Sequence, residues 1–134
     1  MIIPCEVAVR SVLPAVRALL AQELVDGHGL RQERVAEILG LSQSAVSKYS
    51  RRVRGYVIKA NDVQEVRPLI NNIITLLTNG TYTREEFLDL FCKTCMTIRK
   101  SRLMCEFCQK SDPKVKIEDC DFCFNLALRE SERR

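Results

Sequence analysis

Residues 32–46 read Gln-Glu-Arg-Val-Ala-Glu-Ile-Leu-Gly-Leu-Ser-Gln-Ser-Ala-Val, and this run decides how the rest of the chain is read. Gln32, Ala36, Gly40 and Val46 follow one another at intervals of four, four and six residues. Ala36 is small enough to let a second helix cross close by. Gly40 supplies the positive φ that a tight turn between two helices needs. Val46 falls on the apolar side of the following segment with Leu39 and Leu41. Gln43 and Ser44 then stand at the exposed start of the second helix, where their side chains can hydrogen-bond to base edges. The pattern is that of a helix-turn-helix, with duplex DNA as the expected ligand.

Working outward, the spacing predicts one helix over about Gln32–Leu39 and a recognition helix over about Gln43–Ser50, capped by Ser42. Upstream, Pro4 opens a short helix. Pro14 ends or kinks it and begins the next, which carries Val16, Leu19, Leu20 and Leu24 at helical spacing and stops at Gly27 and Gly29. Gly55–Lys59 has the one short β-branched alternation. Downstream, Asn61 or Asp62 is the expected cap of a helix through Val66, Leu69, Ile70, Ile73, Ile74 and Leu77, ending at Asn79-Gly80. The apolar face of this helix is wide, so it either packs on the first domain or pairs with a second copy. Thr83-Arg84-Glu85-Glu86 is a capping box that starts a helix running into the cysteines. Asp112-Pro113 breaks the chain, and Asp119 is the expected cap of a last helix over about Cys120–Arg129. The expected fold class is all-α: a helix-turn-helix bundle over residues 1–58, a connecting and candidate dimerisation helix over 59–82, and a small cysteine-rich helical module over 83–134.

The net charge of +4 is unevenly placed. Residues 1–60 hold nine Lys/Arg against five Asp/Glu, whereas residues 61–134 hold twelve of each. Lys48, Arg51, Arg52, Arg54 and Lys59 follow the recognition helix with no acidic residue among them, which suits contact with phosphates. An aromatic content of 6% with no Trp argues against a stacking platform for single strands. No apolar run approaches the roughly 20 residues that span a bilayer, and the N-terminus lacks the pattern of a secretion signal, so a cytoplasmic location is expected.

Residues 1–57 resemble an archaeal family of transcriptional regulators with a phage-repressor-like (Cro-type) helix-turn-helix. The resemblance rests on Pro4-Cys5-Glu6, Leu13-Pro14-Ala15-Val16-Arg17, Gly29-Leu30-Arg31-Gln32, Ser44-Ala45-Val46-Ser47-Lys48-Tyr49 and Arg54-Gly55. It implies that Gln32 bonds a phosphate and that Gln43 and Ser44 enter the major groove with Ser47 and Lys48 beside them. One departure is Arg31, which stands where such modules often carry a Ser or Thr cap. With Arg51, Arg52 and Arg54, these residues form the candidate DNA-binding set.

Six of the seven cysteines form three pairs within 32 residues: Cys92-x-x-Cys95, Cys105-x-x-Cys108 and Cys120-x-x-Cys123. In a reducing compartment such pairs indicate a metal site, since two thiolates three residues apart chelate one ion and two pairs complete a tetrahedron. Zinc and an iron–sulfur cluster both fit the donor set and need four of the six; all six together, holding two metals through bridging sulfurs, and disulfides in a hyperthermophile's cytoplasm are the alternatives. The resemblance implies the first and third pairs as the steadier ligands, because the family often carries His where Cys108 stands. Cys5 reads as a small buried hydrophobe and His28, between two glycines, as a surface residue. The leading reading is a dimeric DNA-binding regulator with a Cys-ligated metal centre, structural or sensing, and no membrane partner or small-molecule substrate. The alternatives are an interaction module of the transcription machinery and a thiol redox protein. The latter is disfavoured because no βαβ pattern surrounds the pairs and no Ser/His/Asp set, P-loop or dinucleotide fingerprint appears, so no enzyme is expected.

Overall fold

The computed structural model describes residues 2–55 and 58–132, and among these it is all-helical with no strand. Helix α1 spans Pro4–Arg10, with proline at its start, where no helical N–H is needed. It breaks at Ser11, whose hydroxyl donates to the Val7 carbonyl at 2.7 Å. Helix α2, Val12–Gln22, follows at once. Pro14 thus lies inside its first turn instead of opening it, since Val12 and Leu13 already have helical backbone and a proline in that turn removes no helical bond. A wider turn, Glu23–Gly27, continues α2, and the chain leaves it at Gly29.

Helices α3, Gln32–Leu39, and α4, Gln43–Ser50, match the expected spans. Gly40 adopts φ 67° and ψ 34°, and the Leu41 N–H bonds the Ala36 carbonyl at 2.9 Å. The Ser42 hydroxyl accepts the Ala45 N–H at 3.1 Å, closing the first turn of α4. Val35, Ala36 and Val46 are buried between the two helices and α2. The chain then crosses α2 at Gly55, where a Cβ would lie 2.6 Å from both the Ala18 Cβ and the Pro14 carbonyl oxygen. Of the β-branched stretch after it, Tyr56 and Val57 lie outside the described residues, and Ile58 is buried.

Asn61 and Asp62 do not cap the next helix. They belong to a tight turn, Ala60–Asp62, in which the Asn61 side-chain oxygen accepts from Arg67 Nη2 at 2.8 Å and so is not offered to a backbone amide. Helix α5 begins later, at Val66, and ends at Asn79 before Gly80. Val66, Leu69, Ile70, Ile73, Ile74 and Leu77 are buried by this chain's own α2 and by helix α6, Arg84–Lys100. The apolar face of α5 is filled from within one chain, which removes it as a surface for a second copy. At the start of α6 the Thr83 hydroxyl accepts the Glu86 N–H at 3.1 Å, as the capping box requires.

Helix α7, Cys105–Ser111, a turn over Ile117–Asp119 and helix α8, Phe122–Glu132, complete the fold. Asp119 sits in the turn with its N–H bonded to Lys116, and Cys120 is extended, so α8 starts two residues beyond the expected point. A single buried cluster runs through the three sequence segments, from Val12, Val16 and Leu20 through Val46, Ile70 and Ile73 to Ile98 and Met104. Among the described residues no helix is long and apolar enough to cross a membrane.

Truncating Ile73 to Ala should lower unfolding stability by about 2–5 kcal/mol. Because α5 is intrachain core, the drop in urea midpoint should be the same at all protein concentrations; a midpoint that rises with concentration would place a subunit interface there instead.

Candidate nucleic-acid interface and cysteine pocket

The turn between α3 and α4 leaves Gln43 and Ser44 exposed at the first turn of α4, while Val46 and Tyr49 of the same helix face inward. Ser47 and Lys48 are half-buried along its flank. The Ser47 hydroxyl accepts from Arg51 Nε at 3.0 Å, which holds that guanidinium along α4. Arg54 lies over the Tyr49 ring, 5.8 Å from its centre. Gln32 is half-buried, and its Nε2 donates to the Ser50 hydroxyl at 3.5 Å. Its amide therefore ties the start of α3 to the end of α4, a role that the resemblance did not imply.

The end of α4 is built at a cost. The Val53 N–H bonds the Lys48 carbonyl at 2.9 Å, the Arg52 N–H bonds that of Tyr49 at 3.2 Å, and Arg52 has φ 64°. This is the helix-ending motif whose left-handed position is usually glycine. A residue with a Cβ there costs roughly 1–2 kcal/mol. The strained position keeps an exposed guanidinium between those of Arg51 and Arg54. The end of α6 repeats the device, with Arg102 at φ 72°.

In the C-terminal part of the chain, Cys105 and Cys108 of α7, Cys120 and Cys123 line one cavity of about 30 Å³. Cys92 lies instead on a separate groove between α6 and α8, beside Met96 and Leu128. Cys95, three residues on, is turned against the core. The second and third pairs therefore come together, not the first and third. The chain after α7 turns back against it at Ile117–Asp119 and brings those two pairs to one cavity, whereas Cys92 and Cys95 stand earlier, on α6. The four sulfurs line the cavity wall without converging: among the described residues no three Cys, His, Asp or Glu side chains form a chelating group. All seven cysteines are free thiols.

Burial, then the neighbouring Cys123, Cys105 and Cys120, pushes the Cys108 thiol up to about 11. Burial also raises Cys105, opposed by Arg102 and aided by Cys120 and Cys123. Burial and Cys92 push Cys95 up to about 12, against the pull of Arg99 and Arg17. Arg102 donates to the carbonyls of Ile117 and Cys120 at 3.4 and 3.3 Å and pairs with Asp121, fixing the turn that carries the third pair.

Arg99 was not marked by any spacing; in Ile98-Arg99-Lys100-Ser101-Arg102 it reads as part of a solvated basic end of a helix. It is only 6% exposed. Its Nη1 lies 3.7 Å from Met96 Sδ and 3.9 Å from Cys5 Sγ, and its Nε and Nη2 have no hydrogen-bond partner. Burial works against this charge, but the Cys123 and Cys5 sulfurs outweigh it and leave the guanidinium pKa raised. Donors left unsatisfied cost about 1–3 kcal/mol each, and more on a charged group. Cys5 is exposed, contrary to its reading as core: α1 buries Val7 and Ala8, and Cys5 falls off that face toward Arg99. His28 is exposed, as its glycine neighbours suggested.

Comparison of the chain with family models, curated proteins and solved structures finds no match.

Two outcomes follow from this geometry. Arg52→Gly should raise unfolding stability by about 1 kcal/mol, since glycine adopts the left-handed conformation freely; an unchanged or lower melting temperature would show that the arginine side chain itself stabilises the fold. At pH 8, in the reduced protein, iodoacetamide should label exposed Cys92 at least about tenfold faster than Cys95, whose high pKa and burial leave little accessible thiolate. Equal rates, read by peptide mass mapping, would contradict the placement of Cys95.

Proposed function

We propose that this chain is a sequence-specific transcriptional regulator of duplex DNA, with α4 as its reading helix and a Cys-ligated metal centre, zinc or iron–sulfur, at its C-terminal end. The observation that carries the reading is the geometry at α3–α4. A glycine-hinged pair of short helices leaves a Gln–Ser tip exposed on a buried, rigid base. Arg51, Arg52 and Arg54 are exposed at the far end of the same helix.

In this reading Gln43 and Ser44 meet base edges in the major groove, where glutamine pairs with adenine through two hydrogen bonds. Ser47 and Lys48 lie beside the phosphate backbone, and the three arginines supply sequence-independent attraction. Gln32 acts mainly by bracing α3 against α4. One such helix covers only a few base pairs, so two copies bind two half-sites. Because α5 is committed to the core, the contact between copies lies elsewhere or forms on DNA. The protein acts as a binding protein in the cytoplasm, not as an enzyme.

The test uses duplexes selected by the protein from a randomised pool, with binding read by fluorescence anisotropy. Gln43→Ala should lose about 1–3 kcal/mol of preference for selected over scrambled duplex while binding scrambled duplex as before. Arg51→Ala and Arg54→Ala should weaken both duplexes alike and reduce the slope of log K against log salt by about 1. A protein with Gln43 and Ser44 both replaced by Ala that is still folded and keeps its full preference would refute the reading.

A further inference from the structure

The wall of the small cavity between α6, α7 and α8 combines four thiols with three cations and no carboxylate. The thiols are those of Cys105, Cys108, Cys120 and Cys123, and the cations are Arg99, Lys100 and Arg102. Arg102 is paired with Asp121 outside the cavity, and Lys100 is exposed. Arg99 differs from both. It is 6% exposed, and its Nε and Nη2 hydrogens are without acceptors. A guanidinium does not give up its proton in a protein. A permanent buried cation with two unused donors therefore lines a cavity in which the thiols are the side chains able to take on negative charge. What satisfies it is negative charge on that sulfur.

We propose that Cys105, Cys108, Cys120 and Cys123 ligate a single thiophilic divalent ion, zinc by preference, and that Arg99 is the positioning residue that offsets part of the centre's negative charge and bonds its sulfurs. The inference rests on the metal-binding part of the function proposed above and commits it to four of the six paired cysteines. Four S–H bonds break and four metal–sulfur bonds form, with the four protons passing to solvent and no change in oxidation state. Four thiolates around a dication leave a net charge of −2, the charge that Arg99 faces. The four sulfurs do not converge as they stand, so loading the ion draws them together. The cavity of about 30 Å³ has room for an atom-sized guest such as a single ion, given that a water needs about 10–15 Å³ on the same measure. Cys92, on its separate groove, and Cys95, which does not line this cavity, take no part. Through Nη1 and Cys5, Arg99 also joins the centre to α1.

The experiment is a titration of the reduced full-length chain with Co²⁺, followed by competition with Zn²⁺. The wild type should bind one ion per chain, with the strong sulfur-to-cobalt charge transfer of a tetrathiolate. The Cys92→Ser/Cys95→Ser variant should keep the stoichiometry and spectrum, and Cys105→Ser/Cys123→Ser should lose them. Arg99→Met should weaken Co²⁺ binding about 10–100-fold and shift the charge-transfer band, with partial recovery in Arg99→Lys. To keep the test independent of the folding of that variant, the wild type is also alkylated with iodoacetamide with and without Zn²⁺. The ion should protect Cys105, Cys108, Cys120 and Cys123 and leave Cys5 and Cys92 labelled. No ion bound by the wild type overturns both this inference and the metal part of the proposed function, whereas the DNA measurements stand apart from it. An ion that is bound but lost in the Cys92/Cys95 variant, or that protects Cys92, overturns the four-ligand assignment alone. Unchanged affinity and spectrum in a folded Arg99→Met variant overturn the role of Arg99.

Discussion

Helix α2 is the surface against which the rest of the chain is set. It packs on α1, α4, α5 and α6, and it buries Val12, Val16 and Leu20 together with three alanines, Ala15, Ala18 and Ala21. Leucine and valine supply apolar area, and the alanines let neighbouring backbones come close. The closest approach is at Gly55, where any side chain would collide with Ala18 and Pro14. Because α4 leans directly on α2, the orientation of its exposed tip is set by core packing and not by a loop. A reading helix needs that support, since a displacement of an ångström spoils a two-bond contact to a base.

The departures from local preference gather at the two candidate sites. Arg52 and Arg102 both occupy left-handed positions that glycine would fill at less cost, one after α4 and one after α6. Arg99 is buried with unused donors beside the paired cysteines. Ser42 and Thr83 cap their helices and Gly40 and Gly80 end theirs, whereas α1, α2, α3, α5 and α7 start without a side-chain cap.

The all-helical class and the spans of α3 and α4 were legible because a cap, a glycine hinge and a helical stripe coincide over a short distance. Caps farther along were less legible. Asn61 is drawn away by Arg67, and Asp119 by its own turn, and both depend on contacts that spacing does not encode. Cysteine pairing was half legible: the CxxC spacing marks which residues can chelate, but only the turn back after α7 places the second and third pairs on one cavity. Cys5 was misread as core on residue type, since α1 buries Val7 and Ala8 and leaves Cys5 exposed. No spacing marked Arg99, whose burial comes with contacts to Met96 and Cys5 that the sequence pattern does not encode.

The central claim is that the α3–α4 tip, held by α2, is the surface that meets duplex DNA. Amide chemical-shift mapping on the full-length protein, titrated with a duplex chosen by selection, tests it most directly. The account expects saturable shifts concentrated at Gln43–Lys48 and Arg51–Arg54, with smaller ones at Gln32 and little change in α8. Shifts centred on α6–α8, with the α4 tip unmoved, would contradict it.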